Sequence, residues 1–195
     1  MTFVKLNCLA VAFLLTLGAV RAQATWERVY FREINKCARA SKLRSLRAAT
    51  LTDRDLEVRV WALDNLNGVE GFVLRRSGDR WSAMHLKALS PALPRSEYKE
   101  DLQSPKSGWE SFWKQVVGEG ILSLSDSSEL EGYNFMIKDG FSYVVEINAN
   151  QSYRTYHYDN PDMQARGEAK KMLRIGYIIA EEFALPHFKV EDRAP

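Results

Sequence analysis

The sequence predicts an α+β fold: an antiparallel sheet built from two three-stranded meanders, each followed by a helix, with the helices packed on one face. Three observations predict it. Residues 55–63 alternate between apolar and polar side chains, residues 70–89 have a hairpin pattern, and residues 109–117 have the spacing of an amphipathic helix. The same order of strands and then a helix recurs in the second half of the chain, which predicts the second meander.

Residues 1–24 have the features of an export signal. Lys5 precedes the apolar run "LNCLAVAFLLTLGAV", and "AQA" at 22–24 matches a small-x-small cleavage site. The run is short for a membrane span, and Cys8 lies at its front, which disfavours a lipoprotein. We therefore expect a secreted or periplasmic protein with one α+β domain over 25–195 and no transmembrane segment after removal of the signal.

Removal of residues 1–24 leaves 25 basic and 25 acidic residues, so the mature chain has no net charge. Nucleic-acid binding usually requires a basic excess, so this class of partner is disfavoured. One cysteine, Cys37, remains, and an intramolecular disulfide is then impossible. We expect its thiol to be buried, as unpaired cysteines usually are.

The charges are nevertheless segregated along the chain. Residues 28–47 contain seven basic residues and one acid, Glu33, whereas residues 97–131 contain eight acids and three lysines. Such runs are usually solvated faces. The alternative is a structural or assembly subunit whose basic N-terminal segment docks on an anionic membrane surface or an acidic partner. Within this block, residues 34–47 have poor helical periodicity and predict only a weak helix.

The first meander begins with "DLEVRVWAL", in which Leu56, Val58 and Val60 share one face. The hairpin over 70–89 is predicted to turn at Ser77-Gly78-Asp79. Residues 90–108 contain three prolines and many polar groups, and we interpret them as a surface loop long enough to be functional.

The helix over 109–117 follows a possible capping box formed by Ser107 and Glu110. Its apolar residues recur at the spacing of one buried helix face, and Gly118 and Gly120 are expected to end it. Tryptophans at this spacing more often pack in a core than bind a ligand.

The second meander is predicted to comprise strands at 133–137, 141–148 and 152–158, with turns at Asp139-Gly140 and near Ala149–Gln151. Asn160-Pro161 then starts a helix over about 163–184. Its apolar stripe contains Ala169, Met172, Gly176, Ile179 and Phe183.

The stretch "YVVEINANQSYRTYHYDNP", residues 143–161, carries the densest aromatic pattern. Alternation places Arg154, Tyr156 and Tyr158 on one face of the last strand, and we expect mostly core packing, because cross-strand aromatic pairs stabilise sheets without any ligand. If the aromatics are exposed, an aromatic and polar binding surface results. The candidate ligand-binding residues, from both meanders, are Arg59, Trp61, Trp81, His85, Glu146, Arg154, Tyr156 and Tyr158.

No nucleophile, P-loop, dinucleotide or zinc-protease motif occurs in the sequence. His157 and Asp159 are two residues apart and are predicted to share a strand face, but two ligands do not make a metal site. No cofactor and no metal are therefore expected.

The favoured function is an exported, non-enzymatic domain that binds a protein or small ligand through an aromatic and polar sheet face or through the 90–108 loop. One alternative is a hydrolase-like enzyme that combines His157 and Asp159 with a third group from elsewhere in the chain. The other is the assembly subunit described above.

Overall fold

The computed structural model describes residues 26–64, 68–88, 97–133 and 140–190. The signal predicted at 1–24, its predicted cleavage site and the Asp139 side of the predicted turn lie outside these residues, as does most of the strand predicted at 133–137. The chain divides into two compact units, Met1–Glu33 and Ile34–Pro195. In the described part of the first unit, the Trp26 ring lies 6.2 Å from that of Tyr30.

The second unit confirms the α+β class. In the described residues, six antiparallel strands form one sheet in the order β4-β3-β2-β1-β5-β6. The strands are β1 (Asp55–Asp64), β2 (Gly68–Ser77), β3 (Arg80–Ala88), β4 (Glu97–Leu102), β5 (Phe141–Ala149) and β6 (Ser152–Asp159). The helices are α1 (26–40 in its described part), α2 (Trp109–Gly118) and α3 (Gly167–Phe183), with short 3-10 turns at Ser127–Glu129, Pro161–Met163 and Pro186–Phe188.

The loop predicted at 90–108 contains a strand. Residues 97–102 form β4, which pairs with β3 and is the outermost strand on that side of the sheet. Its charged sequence, EYKEDL, suits an edge strand, which has a neighbouring strand on one side only. Charge and proline content alone had favoured a loop.

One face of the sheet, here called the helix face, packs against α2 and α3. Val58 and Val60 of β1 lie in the same buried cluster as Phe112 of α2 and Ile175 of α3. Phe72 of β2 joins the layers, because its ring contacts those of both Phe112 and Phe183. This aliphatic and aromatic layer is the main core.

The opposite face is covered by residues 41–50, here called the strap. The Asn148 side-chain amide of β5 donates to the backbone carbonyls of Leu46 and Ala49, both at 2.9 Å. Arg59 of β1 donates to the carbonyl of Arg44 at 2.9 Å. Helices predicted on one face alone would leave this opposite face partly open to water. That prediction is wrong at the centre of the face, where Arg59, Glu146 and Asn148 are buried, because sequence alternation does not show what covers a polar face.

Three helix boundaries differ from expectation, and one is the start of α3, which lies at Gly167 and not near 163. Ser107 does not cap α2: Gly108 is the N-cap without a side-chain bond, and the Ser107 backbone N–H donates to Glu182 Oε2 of α3 at 2.8 Å. In the weak-helix region, α1 ends at residue 40, and Lys42 adopts a left-handed conformation (φ 56°) that turns the chain into the strap.

Candidate functional site

The aromatic strand β6 holds a segment along the edge of the sheet. The hydroxyl of Tyr156 donates to the carbonyl of Ile121, and that of Tyr158 donates to Ser125, both at 2.8 Å. The Arg154 guanidinium donates to the carbonyls of Leu122 and Leu124. We call residues 121–130 the rim segment. Because these side chains bind its backbone, they fix it beside β6.

The same segment reaches the other side of β6 through Asp126. One carboxylate oxygen, Oδ2, accepts from the His157 backbone N–H at 3.0 Å and lies 2.9 Å from the His157 ring Nδ1. The outward N–H of an edge strand is thus satisfied by a side chain, which shields this edge from pairing with another chain.

The His157 ring is enclosed by acidic and hydroxyl groups. Its Nε2 lies 3.3 Å from Ser127 Oγ and 3.6 Å from Asp159 Oδ2. The predicted common face of His157 and Asp159 is therefore confirmed. Asp126 and Ser127 could not be found as their partners from the sequence, because they are about thirty residues away along the chain.

The order of atoms in Ser127, His157 and Asp126 is that of a hydrolytic triad: hydroxyl, Nε2, Nδ1, carboxylate. Two features oppose catalysis. Ser127 is 0% exposed and His157 is 2% exposed, so a substrate carbonyl has no access to the hydroxyl. A general base must also be neutral to accept a proton, and the electrostatics of the site favour the charged ring.

The electrostatics follow from burial and from the two carboxylates. Burial lowers the pKa of His157, but hydrogen bonds and attraction to Asp126 and Asp159 outweigh it, and the pKa is raised above its ordinary value. Burial opposes ionisation of Asp126, yet the hydrogen bond and charge of His157 and the hydrogen bonds from Ser128 together outweigh it, so the pKa of Asp126 is lowered. Both shifts favour the charged forms of this buried, hydrogen-bonded pair.

A second polar cluster lies beneath the strap. Three predicted ligand-binding residues, Arg59, Trp61 and Glu146, meet there, because Arg59 is the cross-strand neighbour of Glu146. The Trp61 indole N–H donates to Glu146 Oε2 at 2.8 Å, and the Tyr153 hydroxyl donates to Oε1 at 3.1 Å. Trp61 is 0% exposed and Glu146 is 4% exposed.

Charged neighbours complete this cluster. Glu57 pairs with Arg59 at 2.7 Å and with Arg75 at 2.9 Å. Burial raises the pKa of Glu146 despite the attraction of Arg59 and the hydrogen bond from Trp61. These side chains bond to one another and to the strap backbone, which is the arrangement of a structural network.

His85 lies on the helix face, not with Arg59. Its Nε2 is 3.3 Å from Glu70 Oε1, and Lys87 Nζ is 3.3 Å from the same oxygen. Burial opposes ionisation of Glu70, but the hydrogen bond and charge of its neighbours lower its pKa. Since His85 is buried against the Phe188 ring, it contributes to packing at this end of the sheet.

Of the four predicted ligand-binding tryptophans and tyrosines, Trp81 alone is partly exposed. Its ring contacts Trp109 (6.4 Å between centroids, 8° between planes) and Trp113 (5.5 Å), and all three are half-buried. Arg76 lies over the Trp81 ring at 5.3 Å, and the Trp81 N–H donates to Glu110 at 3.1 Å. We call Trp81, Trp109 and Trp113 the tryptophan cluster.

The structure therefore does not assemble the predicted surface. Tyr156 and Tyr158 are buried on the helix face, and Glu146, expected beside them, is on the opposite face opposite Thr155. Trp61 and Trp81 are likewise on opposite faces. The faces of these residues depend on the register between strands, which alternation within one strand does not reveal. Both faces are also covered, one by α2 and α3 and the other by the strap.

The sequence was compared with protein-family models and with curated proteins. No family model matches this chain, and no curated protein matches it.

Neither a metal-binding group of side chains nor a membrane-spanning helix occurs in the residues that the structure describes. Within 26–64, 68–88, 97–133 and 140–190, no group of three or more His, Cys, Asp or Glu side chains is placed to hold a metal ion. Among the helices of the same residues, none is both long and apolar enough to cross a bilayer.

Proposed function

We propose that this chain is an exported, non-enzymatic domain that binds an extended segment of a partner protein through the tryptophan cluster and the neighbouring edge strand β4. The observation that carries the proposal is the half-buried cluster of three tryptophans flanked by Arg76. Tryptophan and arginine are the residues most enriched where binding energy concentrates in protein interfaces.

The surroundings of the cluster support a preformed site. The backbone N–H groups of Lys106 and Ser107 both donate to Glu182 of α3, which anchors the segment before Trp109. Trp109 itself contacts the Phe183 ring. An anchored aromatic surface loses little conformational freedom on binding, which favours affinity.

Strand β4 supplies the second element. Leu102 at its end is opposite Ala83, which lies two residues from Trp81 on the same face of β3. A peptide added alongside β4 would therefore run towards the tryptophan cluster. Backbone hydrogen bonds would provide affinity and the tryptophans would select apolar side chains, as in β-strand addition.

Selection from random peptides displayed on phage tests this proposal. We expect the protein to enrich peptides with aromatic or aliphatic residues, and Trp109→Ala to weaken a selected peptide by about 2 kcal/mol, roughly 30-fold. Tyr177→Ala, which truncates a half-buried aromatic elsewhere on α3, is the matched control and should bind normally. Failure to enrich any peptide, or equal binding by Trp109→Ala, would contradict the proposal.

A second candidate function is hydrolysis, favoured by one observation: the triad order of Ser127, His157 and Asp126. It requires the rim segment to leave β6 so that Ser127 becomes accessible, and it requires neutral His157. A fluorophosphonate probe should then label Ser127 increasingly at alkaline pH, and Ser127→Ala and His157→Gln should abolish labelling. No labelling of the folded protein at any pH would remove this candidate.

A further inference from the structure

Positive charge is concentrated in the first residues of the second unit. Residues 34–50 contain five basic side chains and no acid. All five are exposed: Lys36, Arg39, Lys42, Arg44 and Arg47. We call them the basic patch. Arg47 lies over the Tyr153 ring of the polar cluster, 5.1 Å from its centroid, but this contact does not explain the concentration of charge.

The fold presents these side chains outwards. In α1, Ile34, Cys37 and Ala38 are buried, whereas Lys36 and Arg39 are exposed, so the polar and apolar sides of this helix are separated. In the strap, Leu43 and Leu46 are buried and Arg44 is exposed. The apolar residues anchor the segment and the basic residues remain in water.

The strap is held firmly, so the patch is not a loose tail. Its backbone carbonyls at Arg44, Leu46 and Ala49 accept bonds from Arg59 and Asn148 of the sheet. The left-handed Lys42 fixes the turn from α1 into the strap. The spacing of the cationic groups is thus set by the fold before any partner binds.

We propose that the basic patch docks this protein on an anionic lipid surface, with lipid phosphates as the groups recognised. Three of its five residues are arginines, whose guanidinium groups bind phosphate oxygens in pairs. The expected mature chain has no net charge, so attraction to a membrane must be local to this patch. The expected export makes a lipid surface a more accessible polyanion than nucleic acid.

The test is co-sedimentation of the naturally processed protein with vesicles of phosphatidylcholine alone or mixed with phosphatidylglycerol. Binding should require the anionic lipid and fall steeply as salt shortens the range of the electrostatic attraction. Arg39→Glu/Lys42→Glu/Arg44→Glu should lower partitioning roughly a hundredfold at low salt.

The matched control reverses three exposed lysines on other helices, Lys114→Glu/Lys170→Glu/Lys171→Glu. This control lowers the net charge by the same amount as the variant of the basic patch, and it should bind anionic vesicles as the wild type does. Far-ultraviolet circular dichroism checks each fold; if the triple variant is misfolded, Arg39→Gln and Arg44→Gln separately should each weaken binding roughly fivefold.

Three outcomes would overturn the proposal. One is equal binding to neutral and anionic vesicles, and another is equal binding by the charge-reversed and control variants. The third is binding of soluble heparin through these residues without vesicle binding, which would assign the patch to a soluble polyanion. The peptide selection described above has a different readout, so the two proposals fail independently.

Discussion

Glu146 and Ile147 are neighbours on β5, yet they lie on opposite faces of the sheet and are buried by different chemistry. Ile147 packs in the apolar layer under α2 and α3. Glu146 lies among Trp61, Tyr153 and Arg59 beneath the strap. One sheet can therefore bury both of its faces, one by apolar packing and the other by hydrogen bonds between polar groups.

The largest effect should come from removing one charge beneath the strap. Arg59→Ala leaves Glu57 without its buried partner, and breaking a buried pair in this way costs about 3–5 kcal/mol. Urea denaturation measures the loss, and the exposed Arg80→Ala serves as control, expected within about 0.5 kcal/mol of wild type. A loss below about 1 kcal/mol would mean that the polar face contributes little.

The matching change on the helix face is Ile147→Ala. Truncating this buried side chain should cost about 2–5 kcal/mol through lost apolar burial and a residual cavity. Because no charge is removed, the loss should be the same at low and high salt, measured by urea denaturation at both. A marked salt dependence would show that truncating Ile147 also disturbs the charged network on the opposite face.

The contact between His157 of β6 and Asp126 of the rim segment should make stability depend on pH. Since the pKa of His157 is raised in the folded protein, its stabilisation is fully present below the ordinary value near 6.5 and is lost as pH rises through the folded pKa. The pKa of Asp126 is lowered in the folded protein, so its pH dependence is opposite. The stabilisation from its ionised form is present above the ordinary value of 3.8 and is lost as pH falls through the folded pKa.

His157→Gln should therefore destabilise the protein by about 1–3 kcal/mol near neutral pH, and the difference from wild type should shrink at alkaline pH. Hydrogen exchange of residues 121–130 should speed up in the variant. His187→Gln, which changes an exposed histidine, is the control. A difference that grows with pH would show that the ring is neutral in the folded state.

The smallest effect is expected for Glu146→Gln, which keeps the shape and an acceptor for Trp61. Because burial raises the pKa of Glu146, ionisation weakens the fold as pH rises through that pKa, and the variant escapes this loss. We expect it to be within about 1 kcal/mol of wild type near pH 4 and relatively more stable at higher pH. Denaturation across pH tests the direction, and a relative loss of stability on raising the pH would contradict it.

Local patterns predicted the elements whose residues interact nearby. The strands β5 and β6, the turn near Asn150-Gln151 and the buried stripe of α3 are present, although Phe183 of that stripe is only half-buried. Each depends on residues close in sequence or on one strand.

Local patterns could not predict which residues meet at each candidate site. Asn148 bonds to Leu46 across 102 positions, and Trp61 bonds to Glu146 across 85. These contacts convert an apparently open polar face into a buried one. The tryptophan cluster likewise depends on the approach of α2 to β3, although each tryptophan was visible in the sequence.

Gly71 of β2 is the cross-strand partner of Trp61, and the indole lies directly over it. A methyl group at position 71 would lie 2.6 Å from Trp61 Cζ3, so even alanine does not fit while the tryptophan keeps its place. Positions 61 and 71 are therefore constrained as a pair: among related chains of this fold, a side chain at 71 should occur only with a smaller residue at 61. That covariation would identify distant members of this fold even where the strap has diverged.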